Sequence, residues 1–442
     1  METLGQPDSD ARARPSRARL HVVALVCSLA TILYLDRIVI GQAVGPIQEE
    51  FGLDNTAMSY VLNAFVLAYG IFEIPTGRWG DRYGSRRVLA RIVLWWSGFT
   101  ALTAACTGLW SLVVVRFLFG AGEAGAYPNV ARIIGRWFPP GERGRVQGLL
   151  TASAGLGGAL TPVIAGYLVS QFGWRSPFLV FGGIGVLWAV WFLAWFRDDP
   201  ARHPAVNAAE LAVIGHRPLE SGCEPIPWRA ALGNRTIWLL GMIACCGAFC
   251  SYLYFGWLPR YLQAGHGLST VAAGWGSSVV FAGSTMGGLV GGLLADRMYR
   301  EQAGLGRRRG RTFCATACTA AILLACGVTS GSTSGTVAAM AASCFCASLH
   351  IATWWNCVQE IAGRHHGSLF GLLNSAGIVG AMASQYVFGA AADWRGRLGY
   401  TGREQWEAAF GLYVVVLAML GVAWLFVDTS RTVGGVDTPP AP

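Results

Sequence analysis

Apolar segments of about twenty residues recur along the entire chain, twelve in all. They run Leu20–Ile40, Met58–Gly77, Val88–Cys106, Leu109–Val130, Val146–Val169, Pro177–Phe196, Thr236–Leu258, Val271–Ala295, Thr312–Thr329, Thr336–Val358, Ser368–Ala392 and Ala408–Val427. Twenty residues of α-helix reach about 30 Å, the thickness of a bilayer's hydrocarbon layer. In that layer each backbone N–H and C=O must be paired within the protein, which makes helices of such runs. The sequence therefore predicts an all-α membrane protein of twelve transmembrane helices. Composition agrees: charged residues are 13% of the chain, against about 25% in soluble domains, too few to clothe a soluble surface.

The net charge of +9 does not point to nucleic acid. All 33 basic residues are arginine, and 26 of them fall in the tails and in the loops on the N-terminal side of the membrane. Five fall in the opposite loops, and Arg37 and Arg116 lie within helices. By the positive-inside rule both termini are cytoplasmic and the protein sits in a plasma membrane, the inner membrane if bacterial. The first apolar segment is too long for a cleaved signal peptide and contains Asp36-Arg37, so it reads as an uncleaved span. Eleven of twelve cysteines lie in or at the ends of predicted helices, with Cys223 in a loop, and none shows metal-ligand spacing. They read as small packing residues.

A hydrophilic stretch divides the chain into six spans and six. The expected organisation is a disordered cytoplasmic tail over 1–19, a six-helix bundle over 20–196, a cytoplasmic linker over 197–235, a second bundle over 236–428 and a tail over 429–442. The halves echo each other: GRWGDR after span two is answered by GLLADR at Gly292–Arg297, and GLLTASAG at Gly148 by GLLNSAG at Gly371. Both echoes occupy corresponding places, which predicts an internal duplication and two pseudo-symmetric bundles with a site between them.

Two stretches carry charge at membrane depth, where it costs roughly 2.5–3.5 kcal/mol on insertion scales. One is RFLFGAGEAGAYPN, Arg116–Asn129; the other is YLDR, Tyr34–Arg37. Arg116 and Glu123 are two helical turns apart and share a face about 10 Å apart. Desolvation favours a neutral acid and a nearby arginine favours the carboxylate, so such a group can be poised to take and release a proton. Arginine does not readily deprotonate and its planar fork suits a carboxylate. The aspartate and glutamate are thus the expected proton carriers, Asp36 and Glu123, and the arginines the expected anion ligands. The plain alternatives are a structural pair of Arg116 with Glu123 and a snorkelling Asp36-Arg37 pair near the outer interface.

The loop GRWGDRYGSRR, Gly77–Arg87, spaces glycines for close packing around an aspartate that can accept from a helix N-terminus or from arginines. It predicts a breakable latch between the halves made of Gly77, Asp81, Arg82, Gly84, Arg86 and Arg87, with Asp296 and Arg297 as the echo. This loop resembles the signature of the major facilitator superfamily. Within that superfamily YLDR, RFLFGAGEAGAYPN and RWFPPGERGR resemble the anion:cation symporter family, whose members include bacterial sugar-acid transporters, sialin and the vesicular glutamate transporters. The resemblance implies proton coupling at Asp36 and Glu123 and substrate-charge recognition at Arg37 and Arg116. It also implies that Tyr69, Trp354 and Asn374 line a sugar-acid site. Ser153 stands where one such member has a glutamine, which leaves the polyol contacts open.

Tyr34 and Tyr127 are further polar-aromatic candidates for substrate contact. Glu73, two residues before Pro75, reads as an end-of-helix carboxylate, His350 as a hydrogen-bonded packing residue, and Glu360 and Asp393 as water-facing span ends. At most one of Trp354 and Trp355 can line a cavity. No phosphate loop, nucleophile elbow or metal motif occurs, so neither an enzyme nor a cofactor is expected. The expected function is proton-coupled symport of a small organic anion, a sugar acid or related carboxylate, by a protein working as a monomer in a lipid bilayer. An exchanger of organic anions or organophosphates is the alternative, though span seven lacks the basic residue it would need. A non-transporting nutrient sensor is the third reading, and no signalling domain supports it.

Overall fold

The computed structural model describes residues 14–215, 228–300, 305–362 and 366–429, and every regular element among them is helical. Residues 1–13 of the expected tail, 216–227 of the linker with Cys223, and 430–442 lie outside the described residues. The helices are α1 Ala18–Phe51, α2 Asn55–Tyr83, α3 Ser85–Thr103, α4 Leu109–Glu123, α5 Ala126–Trp137 and α6 Pro140–Phe172. They continue as α7 Ser176–Trp195, α8 Ala208–Ile214, α9 Trp228–Gly233, α10 Arg235–Gly256, α11 Leu258–Ala264 and α12 Thr270–Arg300. The last five are α13 Leu305–Val328, α14 Thr333–Ser348, α15 Ile351–Ala362, α16 His366–Arg397 and α17 Gly402–Trp424.

Ten stretches among the described residues are long and apolar enough to cross a membrane, α4 with α5 and α14 with α15 each counting as one. Twelve were expected from the sequence. The two outside that set are α3, which opens on Arg86, Arg87 and Arg91, and α16, whose apolar run is diluted by Asn374, Ser375, Ser384 and Gln385. Large side chains such as Trp110, Leu187, Leu293 and Val379 point outward and are exposed, as on a surface that hydrocarbon covers.

Packing repeats along the chain. In the first part α1 lies on α6, α2 on α4 and α3 on α7; in the second α10 lies on α16, α12 on α14 and α13 on α17. The most extensive contacts that join the parts are α6 with α12 and α2 with α16, and α1 also meets α10 and α11. Close approach depends on small residues: Gly283, Gly287 and Gly291 of α12 face the backbone carbonyls of Ala341, Phe345 and Leu349, the spacing that lets helices pack in lipid.

The linker is more structured than its composition suggested. After α7, Asp198 accepts from Arg86 N at 2.9 Å at the start of α3, and Asp199 caps a short turn at Pro200–Arg202. Helix α8 presents a buried Glu210 to the start of α1, accepting from Arg17 N at 2.9 Å and Arg19 N at 3.3 Å and pairing with the Arg19 side chain. A carboxylate at a helix N-terminus satisfies donors that helix geometry leaves open. Two carboxylates expected to face water are likewise engaged. Glu360 holds Arg309 at 3.1 Å and Tyr299, and Asp393 accepts from the start of α2 at Asn55 and Thr56.

Candidate functional site

The membrane-depth charges come together between α1, α2, α3 and α4. Arg37 extends from the middle of α1, and its Nε donates to Glu123 Oε1 at 3.0 Å while Nη2 reaches the same oxygen. The guanidinium lies over the rings of Tyr69 at 4.9 Å, Phe65 at 5.3 Å and Tyr34 at 5.7 Å. Aromatic faces stabilise a cation without supplying an acceptor. Phe65, Tyr69 and Glu73 follow each other at four-residue intervals on α2, so they share one face.

Asp36, next in sequence to Arg37, points elsewhere. It is 1% exposed, and its Oδ2 accepts from Trp96 Nε1 of α3 at 3.1 Å. Neighbouring residues on a helix are 100° apart, so the two diverge as geometry requires. Arg116 is 2% exposed and lies over Phe119 at 4.5 Å and Phe65 at 5.1 Å. The plain alternatives from the sequence are thus set aside: Arg37, not Arg116, pairs with Glu123, and Asp36 is deep in the protein.

Three of the four charged groups keep a buried polar atom without a hydrogen-bond partner: Asp36 Oδ1, Glu123 Oε2 and Arg116 Nε. Each such atom costs roughly 1–3 kcal/mol. Vacant bonding capacity gathered in one place is what a site that changes its protons or accepts a ligand requires.

The glycine-rich stretch places Glu123 by breaking a helix. Glu123 is the last residue of α4, and Gly125 turns the chain at φ +86° before α5. A Cβ there would run into Thr76 of α2, and one at Gly120 would meet the carbonyl oxygen of Phe65 at 2.5 Å. Only glycine allows both the left-handed turn and this approach. The second part has an equivalent interruption at Leu349-His350, between α14 and α15. His350 there is held by the Ala347 carbonyl at 2.7 Å and by the edge of Trp424, in keeping with a packing role.

The other expected site residues divide. Tyr34 and Tyr69 flank Arg37, and Tyr127 begins α5 beside them. Ser153 turns its hydroxyl back to Leu149 O at 2.8 Å. Trp354 is buried, donates to Leu240 O at 3.0 Å and touches Trp355 and Phe370; these contacts belong to the second part's own core. Asn374 of α16 instead reaches α2, where its Nδ2 donates to Glu73 Oε2 at 2.6 Å. Glu73 is therefore not a helix-end carboxylate: α2 continues ten residues beyond it to Tyr83.

In the signature loop Gly84 has φ +82° and lies against Asp198, and Arg86 also donates to Leu193 O. These contacts tie the loop to the end of α7 within the first part, not across to the second. Arg82 stacks on Tyr83 at 5.5 Å, Arg87, Asp296 and Arg297 are exposed, Gly77 is part of α2, and the side chain of Asp81 lies outside the described residues. Sequence reasoning missed what α10 contributes. Tyr252 lies within electrostatic reach of Arg37, and Phe255 meets Tyr34 edge-on at 6.5 Å. Neither bears a charge, so neither stood out from an apolar run.

The family model described as Major Facilitator Superfamily matches residues 26–385. A probable sulfoacetate transporter of Cupriavidus necator is 30% identical over 424 residues, covering 95% of this chain and 96% of the relative. A probable L-galactonate transporter of Escherichia coli strain K12 is 30% identical over 387 residues, covering 86% and 84%. Among solved structures, a bacterial homologue of the human lysosomal transporter Spinster, inward-facing and unoccupied, superposes with a TM-score of 0.75. That match has 18% identity and covers 93% of this chain and 97% of the other, a likeness of fold alone.

Proposed function

This chain belongs to the major facilitator superfamily, a family of transporters and not of enzymes, and from that premise we propose that it is a proton-coupled symporter of a small organic anion. The observation that carries the reading is the Arg37–Glu123 pair, flanked by a buried Asp36 and by Arg116 with its unpaired Nε. Protonation of Glu123 removes the charge that holds Arg37 and frees its fork for an anionic substrate. Protonation of Asp36 leaves both arginines uncompensated by α1 and α4. The proton and the anion thereby enter together, each making room for the other.

We read α3 and α16 as spans as well, which gives twelve in two pseudo-symmetric bundles of six, 20–196 and 236–428, joined by the linker. The paired packing of α1 on α6 and α10 on α16 supports that division. Contacts between the bundles gather where α1 and α10 end and α2 begins: Gly41 against Phe255 O, Gly45 against Arg260, and Asn55 and Thr56 on Asp393. With both termini in the cytoplasm, as the arginine distribution supports, this sealed end is the outer one. The arrangement is then the inward-facing state of an alternating-access carrier, with Asn63 and Glu73 of α2 still touching α16.

Relatives named for sulfoacetate and L-galactonate support a carboxylate or sulfonate bearing oxygen functions, with Tyr34, Tyr69, Tyr127 and Asn374 as its contacts, while the Ser153 hydroxyl and Trp354 are engaged away from Arg37. The test is uptake into proteoliposomes of purified protein, with sugar acids and sulfonated acids as substrates and an inward proton gradient. Gradient-driven accumulation and counterflow of one such anion are expected. Counterflow without response to the gradient would support an exchanger and overturn proton coupling.

A further inference from the structure

Glu73 has no part in the scheme above, yet it lies in the same site. It follows Phe65 and Tyr69 on the face of α2 that supports Arg37, and it is within electrostatic reach of Arg37 and of Tyr252 from α10. Its carboxylate accepts from the Asn374 amide at 2.6 Å across the two bundles. An amide donor on one oxygen is suited to an ionised carboxylate. Glu73 is only half-buried, whereas Asp36 and Glu123 are 1% exposed, so it keeps more hydration when those two are neutral.

Charge balance turns this position into a selector. With Asp36 and Glu123 protonated to admit substrate, Arg37 and Arg116 contribute two positive charges and Glu73 removes one. Closing the bundles around an uncompensated charge is costly, while a neutral set of paired charges is far less so. A site of this composition is neutral when it holds one negative charge. Without Glu73 it would be neutral with two. We propose that Glu73 is a specificity-determining residue that selects monoanions over dianions, an inference that rests on the anion-symport reading of the site.

Two matched pairs of probes test it: galactonate against galactarate, and 2-hydroxyethanesulfonate against sulfoacetate. Within each pair a terminal CH2OH replaces a carboxylate, so only valence and that one group change. Binding would be measured on the full chain by ligand-dependent thermal stabilisation, with competition in proteoliposome uptake as a second readout. The expected result is a monoanion preference of at least tenfold within a pair, falling by at least tenfold in Glu73→Gln. Glu73→Ala should lose the preference as Glu73→Gln does, and Glu73→Asp, which keeps the charge, should keep it. An unchanged ratio in the neutral variants, or a wild-type preference for the dianion, overturns the proposal while leaving anion transport standing. Failure of the wild-type protein to bind any of the four overturns the anion-site reading, and this proposal with it.

Discussion

Arg37 and Glu123 share one hydrogen-bonded contact between α1 and α4, and removing either side alone strands the other in a buried place. Breaking a buried pair from one side costs about 3–5 kcal/mol, whereas removing both partners is far milder. Arg37→Gln is expected to lower stability by about that amount and the Arg37→Gln, Glu123→Gln double variant to recover most of it, with neither transporting. Thermal unfolding in detergent of both single variants and the double checks the cycle; a double-variant loss equal to the sum of the two single losses would mean that the pair has no energetic coupling. All four charged residues were legible in the sequence because each contradicts the apolar run that contains it. Their partners were not. Helical spacing tells which residues share a face, so it joined Arg116 to Glu123, but it is silent on which neighbouring helix that face meets. Glu73 was misjudged because GRWG, read as the start of a loop, continues α2 as helix.

At the scale of elements, the interruption between α4 and α5 puts a carboxylate at a helix end in the protein interior. Gly125→Ala must force a side chain into a left-handed turn and against Thr76, a cost of about 1–3 kcal/mol. Adding Thr76→Ala removes the hydroxyl but leaves the Thr76 Cβ and backbone in the way, and it does nothing for the turn, so only a minor recovery in denaturation measurements is expected. The sequence showed Leu109–Val130 as one span, since glycines there serve equally well for packing and for turning. The linker offers a second element. His203 is buried against Trp195 and Trp137 and accepts from Ala205 N at 3.1 Å, and burial lowers its pKa from 6.5. A histidine held neutral on folding lends stability above its unfolded pKa and loses it as pH falls below about 6.5. Hydrogen-exchange protection across 197–215, taken relative to the intrinsic exchange rate at each pH, should therefore fall on acidification, and His203→Asn should flatten that response.

For the whole molecule, Asp393 is the clearest hold between the first part of the chain and the second. Its two oxygens accept from Asn55 N and Nδ2 and from Thr56 N and Oγ1 at 2.6–3.1 Å. Hydrogen bonds to a charged group contribute about 1.5–3 kcal/mol each, so Asp393→Ala should let this end open more often. Amide exchange at the start of α2 and the end of α16 is expected to rise at least about tenfold, the effect of some 1.4 kcal/mol. The helical membrane class and the repeated organisation were visible in apolar length, arginine placement and the two echoes. The hold itself was hidden, because a carboxylate at a span end has the same sequence signature whether it meets water or another helix. The central claim is that Glu123 couples a proton to the anion, and Glu123→Gln tests it most directly. In proteoliposomes the variant is predicted to exchange substrate in counterflow while no longer accumulating it under a proton gradient. Accumulation at the wild-type level would contradict the account.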